Sequence, residues 1–160
     1  MSVIIDGILR SQEDPQLRVR QVAEHVCEGL DARDYLSEAL AFSHFVEASC
    51  RYFRDPRTVE LVKAPYICAG QILSGTKPQL DCDDMASLVG ALALSGGARV
   101  RITCGAFRNA FFKGERQFSH VWCEVQEPKT NAWITCDPVA GPGTKKMLDR
   151  LVAVRHWIVA

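Results

Sequence analysis

Apolar residues along this chain change their spacing once, near residue 98. Before that point they recur every three or four positions, which predicts helices; after it they alternate, which predicts strands. Asp14-Pro15 supplies a cap and an N1 proline for a first helix, with Leu17, Val22, Val26 and Leu30 on its apolar side and Gly29 at its end. Asp31 and Asp34 start a second, longer helix running to about residue 51. Its buried positions are expected at Tyr35, Leu36, Leu40, Phe45, Val46 and Cys50, and Asp55-Pro56 breaks it. A short apolar run at 59–62 follows, Pro65 interrupts, and 66–73 has room for two helical turns. A loop at 75–79 then leads into Leu80-Asp81-Cys82-Asp83-Asp84-Met85. Here Asp81 reads as an N-cap with Asp84 three positions on. Met85, Leu88, Val89 and Leu92 continue that helix, and Gly96-Gly97 stops it.

The second half predicts a sheet. Val100, Ile102 and Cys104 alternate with Arg99, Arg101 and Thr103, a half-buried strand. A long loop at 105–118 carries Phe107, Phe111 and Phe112 among basic residues; it either borders a cleft or tucks its aromatics under itself. Two strands, 119–126 and 131–137, are joined by Glu127-Pro128-Lys129-Thr130. That loop pairs Gln126 with Asn131, so that Glu124 faces Trp133, Trp122 faces Thr135 and His120 faces Asp137. Directly opposed residues have Cβ atoms roughly 4.5–5.5 Å apart. Val121, Cys123, Val125, Ile134 and Cys136 form the opposite, core face. Residues 138–143 are rich in turn formers, and 151–159 reads as a closing strand, with a helix as the alternative.

Composition narrows the possibilities. A chain of 160 residues fits one α+β domain, helical over 1–95 and sheet over 96–160. Nineteen basic residues balance nineteen acidic ones, so no electrostatic case exists for nucleic acid or an anionic membrane. The start, MSVIIDGILR, lacks the basic lead and the length of a signal peptide, and the longest apolar run, 88–94, is far short of a membrane span. Seven scattered cysteines without a CxxC fit a reducing compartment better than a secreted disulfide framework.

The chemistry is expected at Cys82. In the first turn of its helix the sulfur meets unpaired N–H groups and the positive end of the dipole, which favour a thiolate nucleophile. Asp81, Asp83 and Asp84 oppose that charge, so the reading requires an imidazolium nearby. His120 would take the thiol proton and Asp137 would fix the ring. The Cys82 N–H is a ready oxyanion donor; Gln79, Tyr66 and Trp122 are candidates for the second. Gln79, Trp122 and Trp133 are candidate substrate-binding residues, although the two tryptophans are equally compatible with plain packing. His25, His44 and His156 read as structural, and Cys27 and Cys50 as small core residues. Zinc would need Cys82, Cys104, Cys123, Cys136 and His120 to converge, which strand alternation opposes. No metal or other cofactor is therefore expected.

The wording Asp81-Cys82-Asp83-Asp84-Met85-Ala86, Gly97-Ala98-Arg99-Val100-Arg101, His120-Val121-Trp122-Cys123-Glu124-Val125 and Trp133-Ile134-Thr135-Cys136-Asp137-Pro138 resembles the transglutaminase-like superfamily over about residues 45–140. Arg51-Tyr52-Phe53-Arg54-Asp55-Pro56 also looks like the segment that ends its preceding helix. The resemblance implies a papain-like α+β core, with a nucleophile helix packed on an antiparallel sheet that bears the His and Asp. It implies a Cys82-His120-Asp137 triad acting on peptide or isopeptide amides through a thioester acyl-enzyme. With no acidic loop built for calcium, hydrolysis is favoured over calcium-dependent cross-linking. Short members with Asp-Cys-Asp-Asp look most like proteins of tailed bacteriophages and prophages. The expected locations are then the host cytoplasm or the virion, and phage structural proteins join peptide or protein substrates as implied partners. The competing function class is a non-enzymatic virion or tail assembly component that retains the fold.

Overall fold

The computed structural model describes residues 1–55, 61–107, 111–112 and 114–160. Its layout follows from one helix that has no polar face. In α5 (Cys82–Ser95) every residue from 83 to 93 is buried, so the helix must be covered on all sides. Four helices supply one part of that cover: α1 (Ser2–Gln12), α2 (Arg18–Val26), α3 (Tyr35–Ser49) and α4 (Pro65–Leu73). An antiparallel sheet supplies the rest, giving a mixed α+β architecture. At Gly90 the packing admits no side chain without adjustment. A Cβ there would lie 3.0 Å from Ile8 Cδ1, 3.5 Å from Val100 Cγ1 and 3.7 Å from Cys123 Sγ.

The helical half differs from the sequence expectation in three respects. The N-terminal residues form α1, which buries Ile4, Ile8 and Ser11. The N-cap of α2 is Leu17, which turns through φ 52°, not Asp14, so the helix begins only at Arg18 and Pro15 lies in the turn before it. The Asp14 carboxylate accepts the Arg18 amide at 3.0 Å and both arms of its guanidinium at 2.9 and 2.8 Å. In α3, capped by Asp34 as expected, the buried stripe is Ala39, Phe42 and Val46, leaving Leu36 and Leu40 exposed.

α3 ends at Ser49, and β1 (Arg51–Tyr52) pairs in parallel with β2 (Gln79–Leu80) inside the stretch expected to be loop. The apolar run at 59–62 and Pro56 fall largely or wholly outside the described residues. Pro65 opens α4 rather than interrupting it, as suits a residue with no N–H to lose.

Four strands form the main sheet in the order β7-β6-β3-β8: β3 (Val100–Phe107), β6 (His120–Gln126), β7 (Trp133–Cys136) and β8 (Leu151–Ile158), with every pairing antiparallel. β3 therefore continues into the segment expected to be loop, where β4 (Phe111–Phe112) and β5 (Glu115–Arg116) form a small hairpin; residues 108–110 and 113 lie outside the described set. The segment before β8 contains a 3₁₀ turn and a short helix, α6 (Thr144–Leu148). The closing strand is β8, as its Val, Trp and Ile content predicted. No helix among the described residues is long and apolar enough to cross a membrane.

The β6–β7 register departs from the expected one by two residues, with Gln126 opposite Trp133, Glu124 opposite Thr135 and Cys123 opposite Cys136. The hairpin tip is Pro128-Lys129-Thr130-Asn131, because Glu127 already pairs with Ala132 through a 2.8 Å backbone bond. Asn131 takes the left-handed conformation (φ 58°) that closes the turn. An offset of two leaves every side chain on its expected face, whereas an offset of one would have inverted them. Cys123 and Cys136 thus point into the core: Cys123 approaches Gly90, and Cys136 Sγ donates to the Ala39 carbonyl.

The Asp34 cap gives a direct check. Its carboxylate accepts the Ser37 amide at 3.2 Å and the Ser37 hydroxyl at 2.6 Å. Asp34→Ala should lower the unfolding free energy by about 1 kcal/mol in urea denaturation, with an unchanged m-value.

Candidate active site

The start of α5 sets the site. Asp81 is the N-cap, and its carboxylate accepts the Asp84 amide at 3.4 Å. The same amide donates to Asp83 at 3.0 Å. The Asp84 carboxylate accepts the Lys63 amide at 2.6 Å and ties the segment before α4 to the helix. One oxygen each of Asp81, Asp83 and Asp84 lies within 4.8 Å of the others, and among the described residues these three have spacing suited to a cation. All three carboxylates are already used by backbone amides, Asp81 and Asp83 by one at the start of the buried helix and Asp84 by that of Lys63.

Cys82 is partly exposed at the edge of this cluster. His120 begins β6 and is 9% exposed. Its Nε2 lies 2.7 Å from Asp137 Oδ2, and the Asp137 carboxylate is itself anchored by the amides of Val139 and Ala140, each 3.1 Å from Oδ1. With Cys123 opposite Cys136, Trp122 is level with Asp137, and His120 meets Asp137 diagonally instead of head-on. The longer reach of a diagonal pair suits a ring and a carboxylate.

Electrostatics at His120 are a contest. Burial pushes the imidazolium toward neutrality. Hydrogen bonding to Asp137, then to Cys82, reinforced by the charges of both, outweighs this and raises the ring from 6.5 to about 9. Since Nε2 is taken by Asp137, Nδ1 is the nitrogen left for the sulfur. Asp84 behaves differently: burial dominates and lifts its carboxyl from 3.8 to about 6, against the pull of the Lys63 amide.

Two solved proteins share this arrangement of helices and sheet. One is a proposed cysteine protease from Cytophaga hutchinsonii, with TM-score 0.57 and 13% identity over 87% of this chain and 45% of that one. The other is a proposed protease from Parabacteroides distasonis, with TM-score 0.59 and 7% identity over 98% of this chain and 28% of that one. The likeness is one of fold. This chain spans less than half the length of either protein. No family model and no curated protein sequence matches it.

The remaining sequence candidates are spread more widely. Trp122 is 1% exposed and lies against the His120 ring, so it has no surface to offer a substrate. Trp133 begins β7, four residues and about 13 Å of strand from Asp137, and stacks under the Arg101 guanidinium at 4.3 Å. It belongs with a second polar group on the same sheet face, in which buried Glu124 is met by Arg101, Thr103, Thr135 and His156. Gln79 is exposed on β2, and Tyr66 packs on Arg18 at 5.1 Å. His25 and His44 are exposed, whereas His156 meets Thr103 at 2.9 Å.

One neighbour escaped the sequence reading. Tyr52, on β1, is brought beside Asp81-Cys82-Asp83 by its pairing with Leu80. Burial first, then the Cys82 and Asp81 charges, raise its hydroxyl above the ordinary value. A two-residue parallel pair has no periodicity to read, and the Arg51-Tyr52 wording was the one available signal.

Two pH dependences follow. A carboxyl raised in the folded state stabilises it only below its unfolded value, so the Asp84 contribution is present below 3.8 and lost as pH rises through about 6. Asp84→Asn, which can still accept the Lys63 amide, should raise Tm at about pH 7.5 and leave it unchanged or lower at about pH 4. His120 titrates higher: its contribution is full below about 6.5 and disappears as pH climbs through about 9. Urea denaturation of native protein should show that alkaline loss, on the order of a few kcal/mol, and His120→Gln should not.

Proposed function

We propose that this chain is a cysteine-dependent amide hydrolase or acyltransferase of the transglutaminase-like, papain-like type, with Cys82 as nucleophile, His120 as general acid–base and Asp137 as the group that orients the ring. The observation that carries the reading is the 2.7 Å bond from buried His120 to Asp137, formed where the imidazole also interacts with the thiol that opens α5. The kinship in fold with two proposed proteases supports hydrolase chemistry in its coarse form, and the Asp-Cys-Asp-Asp wording keeps the phage-encoded type as the one it most resembles.

In the proposed reaction, Cys82 passes its proton to His120 Nδ1 and the sulfur attacks the carbonyl carbon of a peptide or isopeptide bond. The oxyanion forms beside the Cys82 N–H, an amide left without an intrahelical acceptor at the helix start. Collapse breaks the C–N bond, His120 returns the proton to the departing amine, and a thioester remains. Water or an acceptor amine, deprotonated by His120, then attacks the thioester and releases the thiol. Asp137 holds the ring cation without taking its proton. A substrate would approach across exposed Tyr52 and Gln79, whereas Trp122 lies behind the imidazole.

The other six thiols are poor competitors. Burial raises Cys27, pushes Cys104 up to about 11 and Cys50, Cys68 and Cys136 up to about 12, and holds Cys123 well above its ordinary value. Iodoacetamide at about pH 6.5 should therefore modify Cys82 first, as read by peptide mass mapping. His120→Ala should slow that modification by about 100-fold, and Cys82→Ala should remove it together with any peptide-amide cleavage. Even labelling of all seven cysteines, or an unmodified Cys82 in folded protein, would refute the reading.

A further inference from the structure

His120 is engaged by Asp137 at Nε2 and by the Cys82 thiol, and hydrogen bonds to sp² ring nitrogens run near the ring plane. Contacts of that kind do not stop a ring from tilting about the line that joins them. The face of the imidazole is covered by Trp122, with ring centroids 5.7 Å apart and planes 27° from parallel. The indole is confined in turn. It is 1% exposed, and its far edge runs so close to β3 that a Cβ on Gly105 would come within 2.8 Å of Trp122 Cζ3 and 2.6 Å of Leu151 Cδ2. Its Nε1 is buried without a hydrogen-bond partner among the described residues. An unmatched buried donor costs stability that a phenylalanine or leucine would not lose. What tryptophan supplies here is its face, a broad negative quadrupole within the roughly 6 Å over which a cation is attracted.

We infer that Trp122 is a positioning residue: clamped between His120 and Gly105, its indole sets the tilt of the imidazole and favours the ring cation that pairs with the Cys82 thiolate. The inference rests on the proposed role of Cys82 and His120. The other groups facing the ring are Asp137 from the turn after β7 and Cys82 from α5, with Asp81 and Asp83 beside the sulfur. β3 presents Gly105, which has no side chain. Among the described residues, Trp122 is the one whose ring stacks on the imidazole.

The test is the rate of Cys82 alkylation by iodoacetamide from about pH 5 to about pH 9, with thermal melts recorded alongside, for native protein, Trp122→Leu, Trp122→Phe and Gly105→Ala. In Trp122→Leu the rise of rate with pH should move upward by about one pH unit, because the imidazolium and with it the thiolate lose support. Trp122→Phe should recover most of that displacement. Gly105→Ala, whose Cβ would crowd the indole from the side away from the imidazole and so change its seat against the ring, should displace the profile by a smaller amount. A lowered Tm with the native pH profile in both Trp122→Leu and Gly105→Ala would overturn the inference and reduce Trp122 to a packing residue. If Trp122→Leu does not fold, an unchanged profile in Gly105→Ala is sufficient to overturn it. A native protein with no enhanced reactivity of Cys82 at low pH would instead defeat the functional reading itself, whatever the variants do.

Discussion

Burying α5 on every side leaves its first-turn amides as the part of the helix that cannot be satisfied from within. The chain answers with carboxylates. Asp81 and Asp83 take the Asp84 amide, and Asp84 reaches out to the Lys63 amide, which fixes the segment leading into α4. The same solution gathers acidic groups around Cys82, and a cation is then required close by if the sulfur is to carry charge.

That cation has to be brought from the sheet. His120 is nearly enclosed, and enclosure by itself would discharge it. Asp137 prevents this because it is held from behind: one oxygen is fixed by two backbone amides and the other faces Nε2. The hydrogen bonds of a four-residue turn are in this way transmitted to a ring nitrogen, and from the ring to a thiol on a different element. Trp122 stacks on the face of the same ring, with centroids 5.7 Å apart.

The sheet face that bears His120 is polar yet largely covered by its own side chains. Beyond Trp122, Glu124 is met by Arg101, Thr103, Thr135 and His156, while Arg101 also lies over Trp133. This network accounts for a glutamate and a threonine buried mid-strand, and explains why alternation along β3 does not separate an inside from an outside. It also draws Trp133 away from the candidate site, to the hairpin end of β7.

Local chemistry in the sequence determined a good deal. Asp81 and Gly96-Gly97 bracket α5, Asp34 caps α3, and parity along 119–126 and 131–137 puts His120 and Asp137 on one face and Cys123 and Cys136 on the other. These features depend on neighbours within a few residues, where caps, turns and a period of two act directly. What the tertiary structure decided depends on distant partners. The register of β6 and β7 was fixed when Asn131 joined the turn and Glu127 left it; α1 became a helix because Ile4 and Ile8 meet α5; and Tyr52 reached Cys82 through a two-residue pairing across 28 positions of chain. Burial turned Trp122 from a candidate cleft wall into a support for His120, since whether a ring meets solvent or a neighbour is settled by what packs over it, and Gly105 and Leu151 come from other strands.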